Sequence, residues 1–197
     1  MKVSLTRLVL LLFFAGIAKP GAAQNKSGLI PDYVVIQHAG SIGYFSGGAG
    51  YDLFYKDRGY MEFLYGKVPG SKGGPLNIVT AKFAYRAFDL EISDKIKVHP
   101  FNPGVFFSYH LDDQFDITFD EEQYGKSYYG WSTAVRAHIS VSNELKMYAG
   151  NTLKSVTLYS EFNTSDLYLA SLFYKNNRDW LRPEDIIKLG IGIKVGF

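Results

Sequence analysis

Residues 187–197 alternate without exception. Ile187, Leu189, Ile191, Ile193, Val195 and Phe197 share one parity, and Lys188, Gly190, Gly192, Lys194 and Gly196 share the other. Successive side chains of a β-strand point to opposite faces, so the segment has one apolar face and one that is small or cationic. It reads as a strand and not as a helix, whose apolar positions would recur at three and four. Such a strand fits a soluble sheet with its apolar face on a core. Its length also suits a tilted strand crossing a bilayer, which takes about 9–11 residues.

The sequence ends on that strand. A terminal Phe preceded by apolar residues at every second position, here Ile191, Ile193, Val195 and Phe197, resembles the C-terminal signal of bacterial outer-membrane β-barrels. The resemblance implies an antiparallel transmembrane barrel, contact with outer-membrane lipid and lipopolysaccharide, and reading of these four residues by the barrel-assembly machinery. The other end agrees with export. Lys2 and Arg7 form a basic region, residues 8–17 are apolar, and Gly21, Ala22 and Ala23 offer the small residues of a cleavage site. A signal peptide at 1–23 and a single barrel domain at 24–197 are therefore expected, with the cell outer membrane of a Gram-negative bacterium as the destination. The apolar run is too short to span as a helix, and nothing else approaches eighteen consecutive apolar residues. A membrane form of this chain would have to be a barrel.

Composition narrows the functions. The absence of Cys removes disulfides and thiolate metal sites. A net charge of +2, with no basic cluster interleaved with aromatics, gives no reason to expect nucleic acid. Fifteen Tyr, fifteen Phe and twenty Gly suit short strands, tight turns and aromatic girdles. His38, His99, His110 and His138 are scattered, so no metal is expected. The sequence has no P-loop, dinucleotide fingerprint or G-x-S-x-G, and no cofactor is expected.

Strand signals recur along the mature chain. Residues 33–45 and 51–56 flank a Ser46-Gly47-Gly48 turn, and Asp57-Arg58-Gly59 leads into 60–67 with Gly59 expected at positive φ. After a loop at 68–75, Val79, Ala81, Phe83 and Tyr85 oppose Thr80, Lys82 and Arg86. The prolines of 89–103 leave that stretch open between a short strand and an irregular crossing. Val105, Phe107 and Tyr109 then oppose Phe106, Ser108 and His110, followed by a strongly acidic loop at 112–127. In 128–141, Trp131, Thr133, Val135, Ile139 and Val141 oppose Ser132, Arg136, His138 and Ser140. Ser142-Asn143-Glu144 reads as a turn, 145–150 as a short strand, and 155–162 with 167–174 as a hairpin around 163–166. A bacterial barrel has an even number of strands, with short turns on the periplasmic side. Counting back from a last strand that ends in the periplasm gives about ten strands in an up-and-down barrel, all β and antiparallel, with eight as the fallback. The acidic loop, 68–75, 176–185, 151–152 and 46–48 are then outside.

The face opposite the apolar rows carries both signs of charge. Glu62, Lys82, Arg86, Arg136, His138, Glu161, Lys188 and Lys194 are expected to form a polar lumen network that supports the barrel. The expected protein is thus a small porin-like outer-membrane barrel with a plugged lumen and a structural, adhesive or small-solute transport role. Two alternatives stand beside it. His138 and Ser140 resemble the His-x-Ser pair of outer-membrane lipid A deacylases, which implies a general base and a nucleophile, with Glu144 and Glu161 candidate orienting acids. That family continues with Asn directly after the Ser, whereas Val141 follows here, and Arg136 shares the face of the pair. The other alternative is a soluble, lipocalin-like secreted binder.

Overall fold

A computed structural model describes residues 30–113, 115, 133–150, 153–173 and 182–197. The expected signal peptide, Trp131 and most of the acidic loop lie outside the described residues. Residues Pro31–Phe197 form one unit. Its strands are β1 (Tyr33–Ala39), β2 (Phe45–Leu53), β3 (Gly59–Val68), β4 (Leu76–Tyr85), β5 (Leu90–Ser93), β6 (Ile96–His110), β7 (Val135–Tyr148), β8 (Ser155–Ser165) and β9 (Lys188–Gly196). Among the described residues two α-helices, α1 (Asp166–Phe173) and α2 (Pro183–Ile186), lie between β8 and β9.

The sheet closes on itself. Neighbours in sequence pair antiparallel, β1 pairs β9, and β4 pairs β6, so eight strands form a ring and β5 is an appendage on the first part of β6. Closure leaves no strand of the ring with an open edge. One end holds Asp32 and Phe197, joined where the Phe197 N–H donates to the Asp32 carbonyl at 3.2 Å. The connections at that near end are 54–58, 86–95 and 149–154, and those at the far end are 40–44, 69–75, 111–134 and 166–187. The two longest connections, 111–134 and 166–187, belong to the far end.

Burial follows strand parity, and its sense is inverted relative to a soluble core. On β1, Val34 and Ile36 are exposed on the outer wall while Tyr33, Val35 and Gln37 are buried within. On β7, Ile139, Val141 and Leu145 are exposed while His138, Ser140, Ser142 and Glu144 are buried. On β9 the apolar row Leu189, Ile191 and Ile193 faces out, and Lys194 is 3% exposed inside. The inward glycines make room for larger neighbours. A Cβ on Gly192 would stand 2.6 Å from the Tyr159 ring, and one on Gly50 would overlap the Tyr33 ring. The small residues of one strand are filled by the rings of the next.

The count of ten strands is corrected to the fallback of eight. Ser142, Asn143 and Glu144 lie inside β7, paired with Glu161, Ser160 and Tyr159 of β8, so 128–141 and 145–150 are not separate strands. Asn143 faces outward without losing its partner, because its amide donates to Ser160 Oγ at 3.0 Å. The 163–166 hairpin is also absent: β8 runs through Ser165 and the chain enters α1. Ser46, Gly47 and Gly48 lie within β2, and the first turn is at 40–44, where Gly40 and Gly43 take positive φ, as does Ala39 at the end of β1. At the next turn, positive φ falls on Phe54, Lys56 and Asp57 and not on Gly59. The connection around 151–152 belongs to the near end, opposite the 69–75 connection. The open stretch 89–103 resolves into β5 and the start of β6, with a bulge between His99 and Asn102 where Pro100 has no N–H to give the ladder.

Candidate functional site

Parity brings side chains from six strands to the middle of the lumen. Lys194 of β9 lies 2.7 Å from Glu62 of β3 and 2.6 Å from Glu144 of β7. The other Glu144 oxygen accepts from Arg86 Nε at 2.8 Å, and Arg86 Nη1 reaches Asp52 of β2 at 2.9 Å. Toward the far end, Lys82 of β4 meets Glu161 of β8 at 2.8 Å and Glu62 at 3.7 Å. The order Glu161, Lys82, Glu62, Lys194, Glu144, Arg86, Asp52 alternates in sign throughout. Each cation touches at least two carboxylates, which is what makes such buried charges tolerable.

Aromatic and amide groups complete this layer. Tyr33 donates to Glu62 at 2.9 Å, and Tyr159 donates to Gln37 Oε1 at 2.7 Å. Lys194 Nζ stands 3.8 Å from the centroid of Tyr60 and 4.8 Å from that of Tyr159, and Arg86 lies over Tyr60 at 4.7 Å. Cations over ring faces gain further stabilisation where water is excluded. Glu62 and Glu144 are 0% and 1% exposed. At this depth the lumen is filled by side chains.

The remaining polar candidates lie nearer the far end. His138 stacks on Phe106, with centroids 4.2 Å apart, and its Nε2 is 2.9 Å from Ser108 Oγ. Its Nδ1 has no hydrogen-bond partner among the described residues, and neither does Ser140 Oγ. Glu161 is engaged with Lys82. His138, Ser140 and Glu161 are therefore on the inner wall together without a hydrogen bond joining any two of them. The serine that His138 does touch is Ser108, on β6. Above them, Arg136 and Lys188 line a cavity of about 400 Å³ at the far mouth. Lys56 is exposed in the 54–58 turn. Ile191, Ile193 and Phe197 are exposed, and Val195 is partly so, on the outer wall. Among the described residues no three His, Cys, Asp or Glu side chains cluster in a way that holds a metal ion.

Glu144 is the member of the network hidden by a turn-like neighbourhood, yet it continues the inward series His138, Ser140, Ser142. Gln37, Tyr33, Tyr60 and Tyr159 were hidden for another reason. Strand parity alone does not separate an inner tyrosine from a girdle tyrosine.

Fold and lumen together define the class: a closed, eight-stranded antiparallel β-barrel with a buried network of charges in its interior and an apolar outer wall. Comparison with protein-family models, with curated proteins and with solved structures found no match to this chain.

Proposed function

We propose that this chain is a small outer-membrane β-barrel whose lumen is sealed and whose role is exercised at its far mouth, as a structural or adhesive envelope protein. The carrying observation is the inverted burial, with Ile36, Ile139 and Ile191 more than half exposed while Glu62, Lys82 and Glu144 are at most 1% exposed. In water the outer wall would cost about 25 cal/mol for each Å² of apolar surface it presents. Against lipid that cost vanishes, and ring closure leaves no ring strand with an open edge in a solvent that cannot hydrogen-bond. The filled layer around Lys194 favours binding or adhesion over transport of a solute through the wall. A lipocalin-like soluble binder would place its apolar residues inside.

On this reading the near end is periplasmic and the far end, with its long connections, is external. The outward row Ile191, Ile193, Val195 and Phe197 serves as the assembly signal, and the partners are outer-membrane lipid, lipopolysaccharide and the assembly machinery. The deacylase reading gains no support from the geometry, since His138 and Ser140 face the lumen without touching. The test is fractionation combined with gel mobility before and after boiling. The full chain should be recovered with outer membranes, shift on heating, and give no steady conductance in a planar bilayer. Recovery as a soluble protein, or an open-pore conductance, overturns the reading.

A further inference from the structure

The cavity at the far mouth differs from the layer beneath it in chemistry. At about 400 Å³ it falls in the range of roughly 300–1,000 Å³ occupied by small-molecule sites. Its ionisable lining groups, apart from two tyrosines, are Lys72, His110, Arg136, His138 and Lys188, with no carboxylate among the described residues that line it. Lys72 lies 5.7 Å from the Tyr44 ring, while Lys188 donates to the Glu184 backbone carbonyl at 3.3 Å and lies 5.3 Å from the Tyr168 ring. Among the described residues neither lysine is within ion-pair distance of a carboxylate. His138 is only 6% exposed. In the tautomer with its proton on Nδ1, Ser108 donates to Nε2 and the Nδ1–H is left as a buried donor without an acceptor among the described residues. A buried donor of that kind is costly unless something accepts from it. The aliphatic part of the wall comes from Val68, Leu76, Ile78 and Leu167, with the hydroxyl residues Ser41 and Ser165 also in the lining.

We propose that this cavity binds a small organic anion, an apolar body bearing one phosphate or carboxylate group. The anion's oxygens take charge-assisted hydrogen bonds from the lysines and from His138, and its body rests on the aliphatic wall. The inference uses the barrel fold and does not depend on where the barrel resides.

The experiment is calorimetric titration of the full chain, purified in a non-ionic detergent, with phenyl phosphate, benzoate and the neutral analogue phenol. Saturable binding of phenyl phosphate or benzoate, weakened by salt, is expected, with phenol binding far more weakly. The two anions distinguish a phosphate from a carboxylate preference. The variant Lys72→Gln/Lys188→Gln should lose affinity by about tenfold or more while keeping the heat shift on gels. If that variant does not fold, Lys72→Gln alone, in an exposed turn, should still weaken binding measurably. Absence of saturable binding by both anions, equal binding of phenol, or unchanged affinity in the folded variant overturns the proposal. A protein that shifts on heating but binds neither anion refutes the site alone, and a soluble protein that binds one refutes the membrane reading alone.

Discussion

Lys188 and Lys194 belong to the same strand, point to the same side of it and live in opposite surroundings. Lys194 is enclosed, bridging Glu62 and Glu144 and lying over the rings of Tyr60 and Tyr159. Lys188, some 20 Å along the strand at about 3.3 Å per residue, opens to the mouth and touches a backbone carbonyl and one ring. The same residue type at the same parity is thus structural at one depth and available at another. What separates them is whether opposite strands supply carboxylates at that level. Glu62, Glu144 and Glu161 do so in the middle of the lumen, and no described lining residue does so at the mouth.

The largest expected effect attacks the enclosed half. Glu144→Gln removes the carboxylate that both Lys194 and Arg86 require, and should cost about 3–5 kcal/mol in reversible urea unfolding from lipid vesicles. Lys188→Gln should stay within about 0.5 kcal/mol in the same assay. Equal costs for the two would erase the contrast. Next, Ile139→Arg on the outer wall should destabilise by about 2–4 kcal/mol if that residue lies near the bilayer midplane. A neutral result would mean that the outer wall faces water. Gly192→Ala should cost about 1–3 kcal/mol by driving a methyl toward the Tyr159 ring. Smallest is Ser140→Ala, whose hydroxyl has no partner among the described residues. It should cost at most about 1 kcal/mol, and lipid A acyl content should be unchanged by mass spectrometry. A change in acylation would restore the hydrolase alternative.

The strands with clean apolar rows were legible. β3, β4 and β9 show their alternation directly, and Glu62, Lys82 and Lys194 could be assigned to one face from parity alone. Polar triplets within strands were not. In a soluble protein Ser-Asn-Glu marks a turn, because a strand buries its inner side chains in hydrocarbon. With the polar side inward, Ser142 and Glu144 are ordinary lining residues, and only Asn143 interrupts the outer row. Ser46-Gly47-Gly48 misleads for a related reason. A Cβ on Gly48 would overlap the β3 backbone at Phe63, so this glycine marks close strand approach and not reversal. The mouth cavity was least legible, since Lys72, His110, Arg136 and Lys188 come from four distant segments that only closure brings together.

The bridging position of Lys194 also has a consequence in time. Glu62 and Glu144 belong to strands made well before β9, and the hydrogen bond from Lys194 to Glu144 spans 50 positions of sequence. Until β9 docks between β8 and β1, Glu62 has only Lys82, at 3.7 Å, and Glu144 only Arg86 as a cationic partner, so a partly formed sheet has reason to remain hydrated and open along that seam. Insertion of the last strand then supplies the third cation of the network and closes the wall in one event. Such late, long-range pairing makes for slow assembly, and it couples the moment the barrel becomes dry to the moment it becomes complete.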